Sequence, residues 1–238
     1  MILELINVTK TFGKFAAISD LSFSVNEGEI FGIAGPNGAG KTTLFNVISG
    51  FYRATGNIFF NGHKIGNLGP DKINIKGIAR TFQIPLLFDS MTIYQNVLVG
   101  AHYGGQAKSD VENRINEALS FFGLQDLRAA AVANLKLLDK KLTMAAAAFA
   151  TRPKLLLLDE PVAGLSPIEA ELFVGFVKKL NKEYGVTIIM IEHLMNILTE
   201  MSDRMMILNN GQKLIAGSPD TVINDPETIE CYLGKSHA

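Results

Sequence analysis

Apolar residues come in short runs over the first quarter of this chain and at helical spacing in its middle. Leu3–Val8, Leu21–Val25, Ile30–Ala34 and Ile58–Phe60 are separated by the turn-forming Gly13, Glu27-Gly28 and Asn61-Gly62, a rhythm that predicts strands up to about residue 61. Between Ser109 and Phe122 the period changes, with Val111, Ile115, Ala118, Leu119 and Phe122 three or four apart on one helical face. The alanine run Ala145–Ala148 also favours helix. Leu155–Leu158 and Val186–Ile191 are unbroken apolar runs, the pattern of strands buried on both faces. Between them, Ser166-Pro167-Ile168-Glu169 supplies an N-cap, a proline at the first helical position and a glutamate that closes a capping box, and Gly185 ends the helix. Met205–Leu208, Asn209-Asn210-Gly211 and Gln212–Ala216 predict a hairpin, and Ser218-Pro219 and Asp225-Pro226 each start a further helix. The expected class is α/β: one domain over residues 1–238, with an N-terminal antiparallel β subdomain, a core with a mostly parallel sheet, and an inserted α-helical subdomain over approximately residues 83–152.

Gly35-Pro36-Asn37-Gly38-Ala39-Gly40-Lys41-Thr42-Thr43 adds chemistry to this architecture. It fits the phosphate-binding pattern G-x-x-x-x-G-K-[ST], and it lies after the strand Ile30–Ala34 and before a helix from Thr42 to about Ile48, the context that the pattern needs. Three glycines let successive N–H groups point inward, and the helix N-terminus adds partial positive charge, so the loop cradles a polyphosphate. The core is therefore expected to be of the P-loop NTPase type. Lys41 would reach the β- and γ-phosphates, and Thr42 would give its hydroxyl to Mg²⁺.

Downstream, Asp159 and Glu160 close the apolar run Leu155–Leu158, at the strand end where open parallel sheets present ligand-contacting residues. Asp159 suits Mg²⁺, directly or through water, and Glu160 suits general-base work on an attacking water. After the next strand comes Glu192-His193, where the imidazole of His193 is placed to donate to a γ-phosphate or position the water. Gln83, in Arg80-Thr81-Phe82-Gln83, reads by itself as a satisfied turn residue.

Composition narrows the partners. Lys and Arg total 22 against 23 Asp and Glu, so no global field favours nucleic acid. The single cysteine, Cys231, allows no internal disulfide and reads as a small apolar residue of a terminal helix, in keeping with a reducing compartment. Met1-Ile2-Leu3-Glu4-Leu5 lacks the basic start and long apolar stretch of a signal peptide. No apolar run approaches the roughly 20 residues of a membrane-spanning helix. A cytosolic chain that reaches a membrane only through a partner is expected.

In their order along the chain, these motifs resemble the nucleotide-binding subunits of ATP-binding cassette transporters, and the resemblance spans essentially the whole sequence. It implies ATP hydrolysis with Mg²⁺ at the cytoplasmic face of a cell membrane, as a peripheral subunit bound to two transmembrane permease subunits. By the same resemblance Phe12 stacks on adenine, with Phe15 as the substitute. Gln83 contacts metal and attacking water, Ala163-Gly164-Leu165-Ser166 communicates across a dimer, and His193 is the switch histidine. The residues assigned to nucleotide are thus Phe12, Gly35, Pro36, Asn37, Gly38, Ala39, Gly40, Lys41, Thr42, Thr43 and Lys136. Those assigned to metal are Thr42, Gln83 and Asp159, and those assigned to catalysis are Glu160, His193 and Gln83. Arg80-Thr81-Phe82-Gln83-Ile84-Pro85, Met91-Thr92-Ile93-Tyr94-Gln95-Asn96-Val97 and the ending Asp225-Pro226-Glu227 to Tyr232-Leu233-Gly234 resemble the ATPases of branched-chain amino-acid importers. That subtype implies an indirect partner in a solute-binding protein. Related amide importers share these marks, and an exporter ATPase of lipid or lipopolysaccharide, or a catalytically weak regulatory subunit, is the alternative.

The chain departs from the family where its signature, Leu-Ser-Gly-Gly-Gln, should fall: it reads Leu135-Lys136-Leu137-Leu138-Asp139. Lys136 stands where the signature serine donates to the partner's γ-phosphate. Leu138 replaces a glycine whose backbone approaches it, and the Cβ of leucine restricts that backbone. Family members form head-to-tail dimers, so the expected partner is a second, different ATPase subunit, with a homodimer as the alternative.

Overall fold

The computed structural model describes residues 1–104 and 110–233. The chain divides into two compact units, one formed by Met1–Pro70 with the chain from Thr187 onward, the other by Asp71–Val186.

In the first unit, β1 (Leu3–Phe12) pairs antiparallel with β2 (Phe15–Val25) and with β4 (Thr55–Phe60), which pairs in turn with β5 (His63–Lys64). Leu3, Leu5 and Val8 are buried, so the apolar pattern that ends at Val8 marks only the inward half of β1. The strand continues through Thr9-Lys10-Thr11, held by backbone pairing and by a hydrogen bond from Asp20 N–H to the Thr9 hydroxyl, polar contacts that leave no apolar alternation to read. Beside this sheet stand four strands in the order β10-β9-β3-β8. Here β3 (Ile30–Ala34) lies parallel to both β8 (Thr187–Ile191) and β9 (Arg204–Asn209), and β10 (Gln212–Gly217) closes antiparallel on β9. Every residue of β3 and β8 is buried, as their continuous apolar runs imply.

The β9–β10 turn has Asn210 and Gly211 both at positive φ, 48° and 76°, the requirement of a two-residue type I′ hairpin. Its position is constrained as well as its shape. The Gly211 N–H donates to the Ala39 carbonyl at 2.9 Å, its carbonyl accepts from Ser19 N–H at 2.9 Å, and a Cβ there would lie 2.7 Å from the Ala17 carbonyl oxygen. The helices of this unit are α1 (Lys41–Ile48), α7 (Met195–Met201), α8 (Pro219–Ile223) and α9 (Pro226–Leu233). Their Pro-led starts at Ser218-Pro219 and Asp225-Pro226 follow the sequence, and Cys231 falls in α9 as expected.

The second unit holds α2 (Pro70–Ile75), the parallel pair β6 (Ile78–Arg80) and β7 (Leu155–Asp159), and the helices α3 (Ile93–Tyr103), α4 (Val111–Phe121), α5 (Leu137–Ala150) and α6 (Pro167–Tyr184). Helix α6 begins as its sequence requires. Ser166 accepts from Glu169 N–H, the Glu169 side chain returns to the Ser166 N–H, Pro167 opens the first turn, and Gly185 ends the helix at φ 65°. Helix α3 carries the same capping box in Thr92 and Gln95, although its Ile93, Tyr94, Val97 and Val99 have strand-like propensity. Phe121, Phe122, Phe149, Phe176 and Tyr184 form one aromatic cluster. Arg114 is buried and donates to the Ala150 carbonyl at the end of α5, giving that helix terminus a cationic partner. No helix among the described residues is long and apolar enough to cross a membrane.

The segment between β6 and α3 has little regular structure, and its second half is anchored by the side chain of Asn96. Asn96 is 3% exposed; its amide accepts from Phe88 N–H at 2.8 Å and donates to the carbonyls of Phe88 and Thr92. Replacing Asn96 by alanine is expected to cost about 2–3 kcal/mol in urea unfolding, from lost hydrogen bonds and buried groups left without partners.

Candidate nucleotide site

In the first unit the phosphate loop lies between β3 and α1, so a buried strand delivers the chain and a helix N-terminus receives it. The helix starts at Lys41, one residue before the expected Thr42. Lys41 is 6% exposed, and its Nζ donates to the carbonyls of Gly35 at 2.7 Å and Pro36 at 3.0 Å, so the loop closes over its own lysine. Gly35, Gly38 and Gly40 all have positive φ. At Gly40 the close approach is also obligatory, since a Cβ would lie 2.4 Å from the Ala17 carbonyl oxygen. Ala39 is buried, whereas Asn37 and Gly38 are exposed and Thr42 presents its side chain at the surface.

Phe12 ends β1 and is 45% exposed, with its ring 5.3 Å from Tyr52 in an edge-to-face arrangement and the Lys10 ammonium 4.8 Å from its centroid. Tyr52 therefore braces the aromatic that the resemblance assigns to adenine. Phe15, the substitute, is more exposed still at the head of β2. His193 is exposed immediately after β8, and its backbone N–H donates to the carboxylate of the buried Glu192 at 3.2 Å. From α9, Tyr232 takes a backbone hydrogen bond from Gly35, and burial pushes its phenol up to about 12. No periodicity or motif marks Tyr232 as a neighbour of the loop.

The second unit brings Gln83, Asp159 and Glu160 together. The parallel register pairs Ala79 with Leu156 and Arg80 with Leu157, and Thr81 N–H extends the ladder to the Leu157 carbonyl, so both strands release their chains side by side. Gln83 Nε2 then donates to Glu160 Oε2 at 2.6 Å. Gln83 is no mere turn residue: its amide nitrogen serves the carboxylate, which makes its oxygen the end suited to a hard cation. Asp159, 4% exposed, accepts from Arg80 Nη2 at 2.8 Å.

Glu160 has φ 47°, a left-handed conformation that costs a non-glycine residue about 1–3 kcal/mol and persists only where its surroundings hold it. Lys141 of α5 does the holding. Only 2% exposed, it directs Nζ to the Glu160 carbonyl at 3.2 Å and the Gln83 carbonyl at 3.3 Å, tying both chain exits to one ammonium. The sequence does carry a signal for it: Lys141 lies four and eight residues before Ala145 and Phe149, on the buried stripe of α5.

Lys136 is exposed at the N-cap of α5, where no side chain caps the helix and the acidic Asp139 occupies the first turn. Leu137 reaches over Gly164, where an added Cβ would lie 3.0 Å from Leu137 Cδ2. Lys136 is also in electrostatic reach of Glu169, whose carboxyl is held below its usual range by hydrogen bonds from Ser166 first and by the lysine charge as a smaller effect.

A glycine loop folded over a buried lysine, with an acidic strand end elsewhere in the chain, is the equipment of a phosphate-loop nucleotide-binding protein. Residues 18–163 match the ABC transporter family, and the chain belongs to it. It is 35% identical to the high-affinity branched-chain amino acid transport ATP-binding protein BraF of Pseudomonas aeruginosa, over 99% of this chain and 98% of that one. It is 35% identical to the probable branched-chain amino acid transport ATP-binding protein LivG of Archaeoglobus fulgidus, over 98% and 95% of the two chains. A crystal structure of a nucleotide-free ATP-binding cassette from an ABC transporter superposes with a TM-score of 0.89 at 33% identity, covering 98% of this chain and 99% of that one. The protein is accordingly an ATP-binding, ATP-hydrolysing component of a transporter.

Because Lys141 acts on two backbone carbonyls, Lys141→Met is expected to lower kcat for ATP about 10–100-fold, with KM for ATP changed by no more than about twofold, and Lys141→Arg is expected to restore part of the rate. Steady-state phosphate release by the variants checks this.

Proposed function

We propose that this chain powers uptake of branched-chain amino acids or related amides as one ATPase subunit of an importer, bound at the cytoplasmic face of the membrane. The observation that carries this reading is end-to-end similarity to proteins named for that transport, over 99% of this chain in one case. The chain acts as a single ATPase domain, with about residues 83–152 as its helical insertion. Two permease subunits bind it, and a solute-binding protein meets those permeases on the far side. The groove of about 210 Å³ lined by Phe82, Leu86, Phe88, Asn96, Val99 and Met144 suits an apolar helix of a permease, and the exposed Ile84, Leu86 and Phe88 supply an apolar rim.

In this reading the residues from Gly35 to Thr43 hold the polyphosphate, with Lys41 against the β- and γ-phosphates and Phe12 against adenine. Thr42, Gln83 and Asp159 each offer an oxygen donor of the kind Mg²⁺ takes, a cation that uses few protein ligands and completes its shell with phosphate oxygens and water. Bound there, Mg²⁺ would neutralise charge on the transferred phosphoryl group. Glu160, oriented by Gln83 and Lys141, accepts the proton of the attacking water, and His193 donates to the γ-phosphate.

We further infer that the partner ATPase is a different subunit. Support comes from α5, whose start combines Lys136, the branched Leu138 and the acidic Asp139 where the family presents serine and glycine to a phosphate. Such a pair has one competent site, built from this chain's catalytic residues and the partner's signature, and one weakened site that contains Lys136.

Two measurements on Glu160→Gln test the reading. In vesicles with the permeases, the partner ATPase and the binding protein, leucine uptake is expected to fall to background; uptake that persists refutes the catalytic assignment. In light scattering with Mg-ATP, the purified variant alone is expected to stay monomeric and to dimerise only with the partner subunit. An ATP-dependent homodimer refutes the two-subunit model.

A further inference from the structure

Arg80 belongs to two places at once. Its side chain is 6% exposed and pairs with Asp159, itself 5% exposed, while its guanidinium carbon sits 4.7 Å from the Phe82 ring centroid. It also lines the apolar groove together with Phe82, Leu86 and Phe88. The same guanidinium is therefore part of the groove wall and a neutralising partner of the carboxylate assigned to Mg²⁺. A buried ion pair of this kind holds its geometry tightly, since a charge that loses its partner away from water is costly. It also shares the carboxylate: a divalent cation at Asp159 must do so against a fixed positive charge.

We propose that Arg80 is a positioning residue that reports occupancy of the groove to the metal ligand. With the groove empty, the guanidinium draws on Asp159 and weakens its hold on the cation. A side chain seated against Phe82 turns the guanidinium within the pair and loosens its draw on Asp159, which then binds the metal more tightly. The inference deepens the reading in which a permease segment fills this groove and shares that premise. It adds a specific carrier, a short parallel strand whose last residue spans from the groove to Asp159.

Arg80→Gln removes the charge, and Arg80→Lys keeps it while losing the planar fork and the stack on Phe82. The first readout is Mn²⁺ affinity of the full chain with ADP, measured by the electron paramagnetic resonance of free Mn²⁺. It is expected to rise about tenfold in Arg80→Gln and to stay near wild type in Arg80→Lys. The second readout is the ratio of ATPase rates with and without the permeases in the assembled complex, which is expected to fall toward one in both variants. Unchanged or weaker Mn²⁺ binding by Arg80→Gln overturns the proposal, as does wild-type stimulation by the permeases in Arg80→Lys. If Arg80→Gln does not fold, by circular dichroism, the stimulation ratio of Arg80→Lys decides the matter. A wild-type chain that the permeases fail to stimulate refutes the transporter-docking premise instead, and the Mn²⁺ comparison still judges the role of Arg80 at Asp159.

Discussion

Two strands released in parallel at the same height set the chemistry of the second unit. Because Arg80 pairs with Leu157, the residues that follow β6 and β7 leave the sheet together, and the polar contacts at that end depend on this common exit. Arg80 meets Asp159, Gln83 meets Glu160, and a single ammonium from α5 ties down the carbonyls of Gln83 and Glu160. A slip in this register would separate all of these pairs at once. The short length of β6 is therefore misleading as a measure of its importance: three residues of strand bring five polar side chains together.

The phosphate loop is built on a different economy. Its shape comes from backbone, with positive φ at three glycines and carbonyls turned inward onto Lys41. It is also tightly hemmed, by Ala17 beneath Gly40, by Gly211 at the Ala39 carbonyl and by Tyr232 at Gly35. A loop so braced arrives at its ligand with the ordering already done, which favours binding by preorganisation.

What could be read in advance divides along these lines. Local signals were legible: the capping box of α6, the Asn210-Gly211 hairpin, the buried runs of β3 and β7 and the glycine spacing of the phosphate loop all act within a few residues of chain. The extension of β1 beyond Val8 was not, because its outer half has no buried apolar residue and carries no alternation. Helix α3 was hidden by β-branched and aromatic residues that its burial requires, although Thr92 and Gln95 announced its start. Gln83 showed its contact only once β6 was in place. Arg80 and Lys141 were harder, since a cation in an apolar setting declares no partner until tertiary structure supplies one. Of the two, only Lys141 left a trace, as a charged residue on a helical stripe that is otherwise apolar.

The β9–β10 hairpin looks from its sequence like an ordinary surface turn, the kind of place where extra residues are readily accepted. Its contacts say otherwise. Gly211 donates to Ala39 inside the phosphate loop and accepts from Ser19, with no room for a side chain against Ala17. A peptide tag or fluorescent reporter spliced between Asn210 and Gly211 would therefore pull on the nucleotide-binding backbone itself. For anyone engineering a sensor from this protein, that turn is a direct mechanical handle on the phosphate loop.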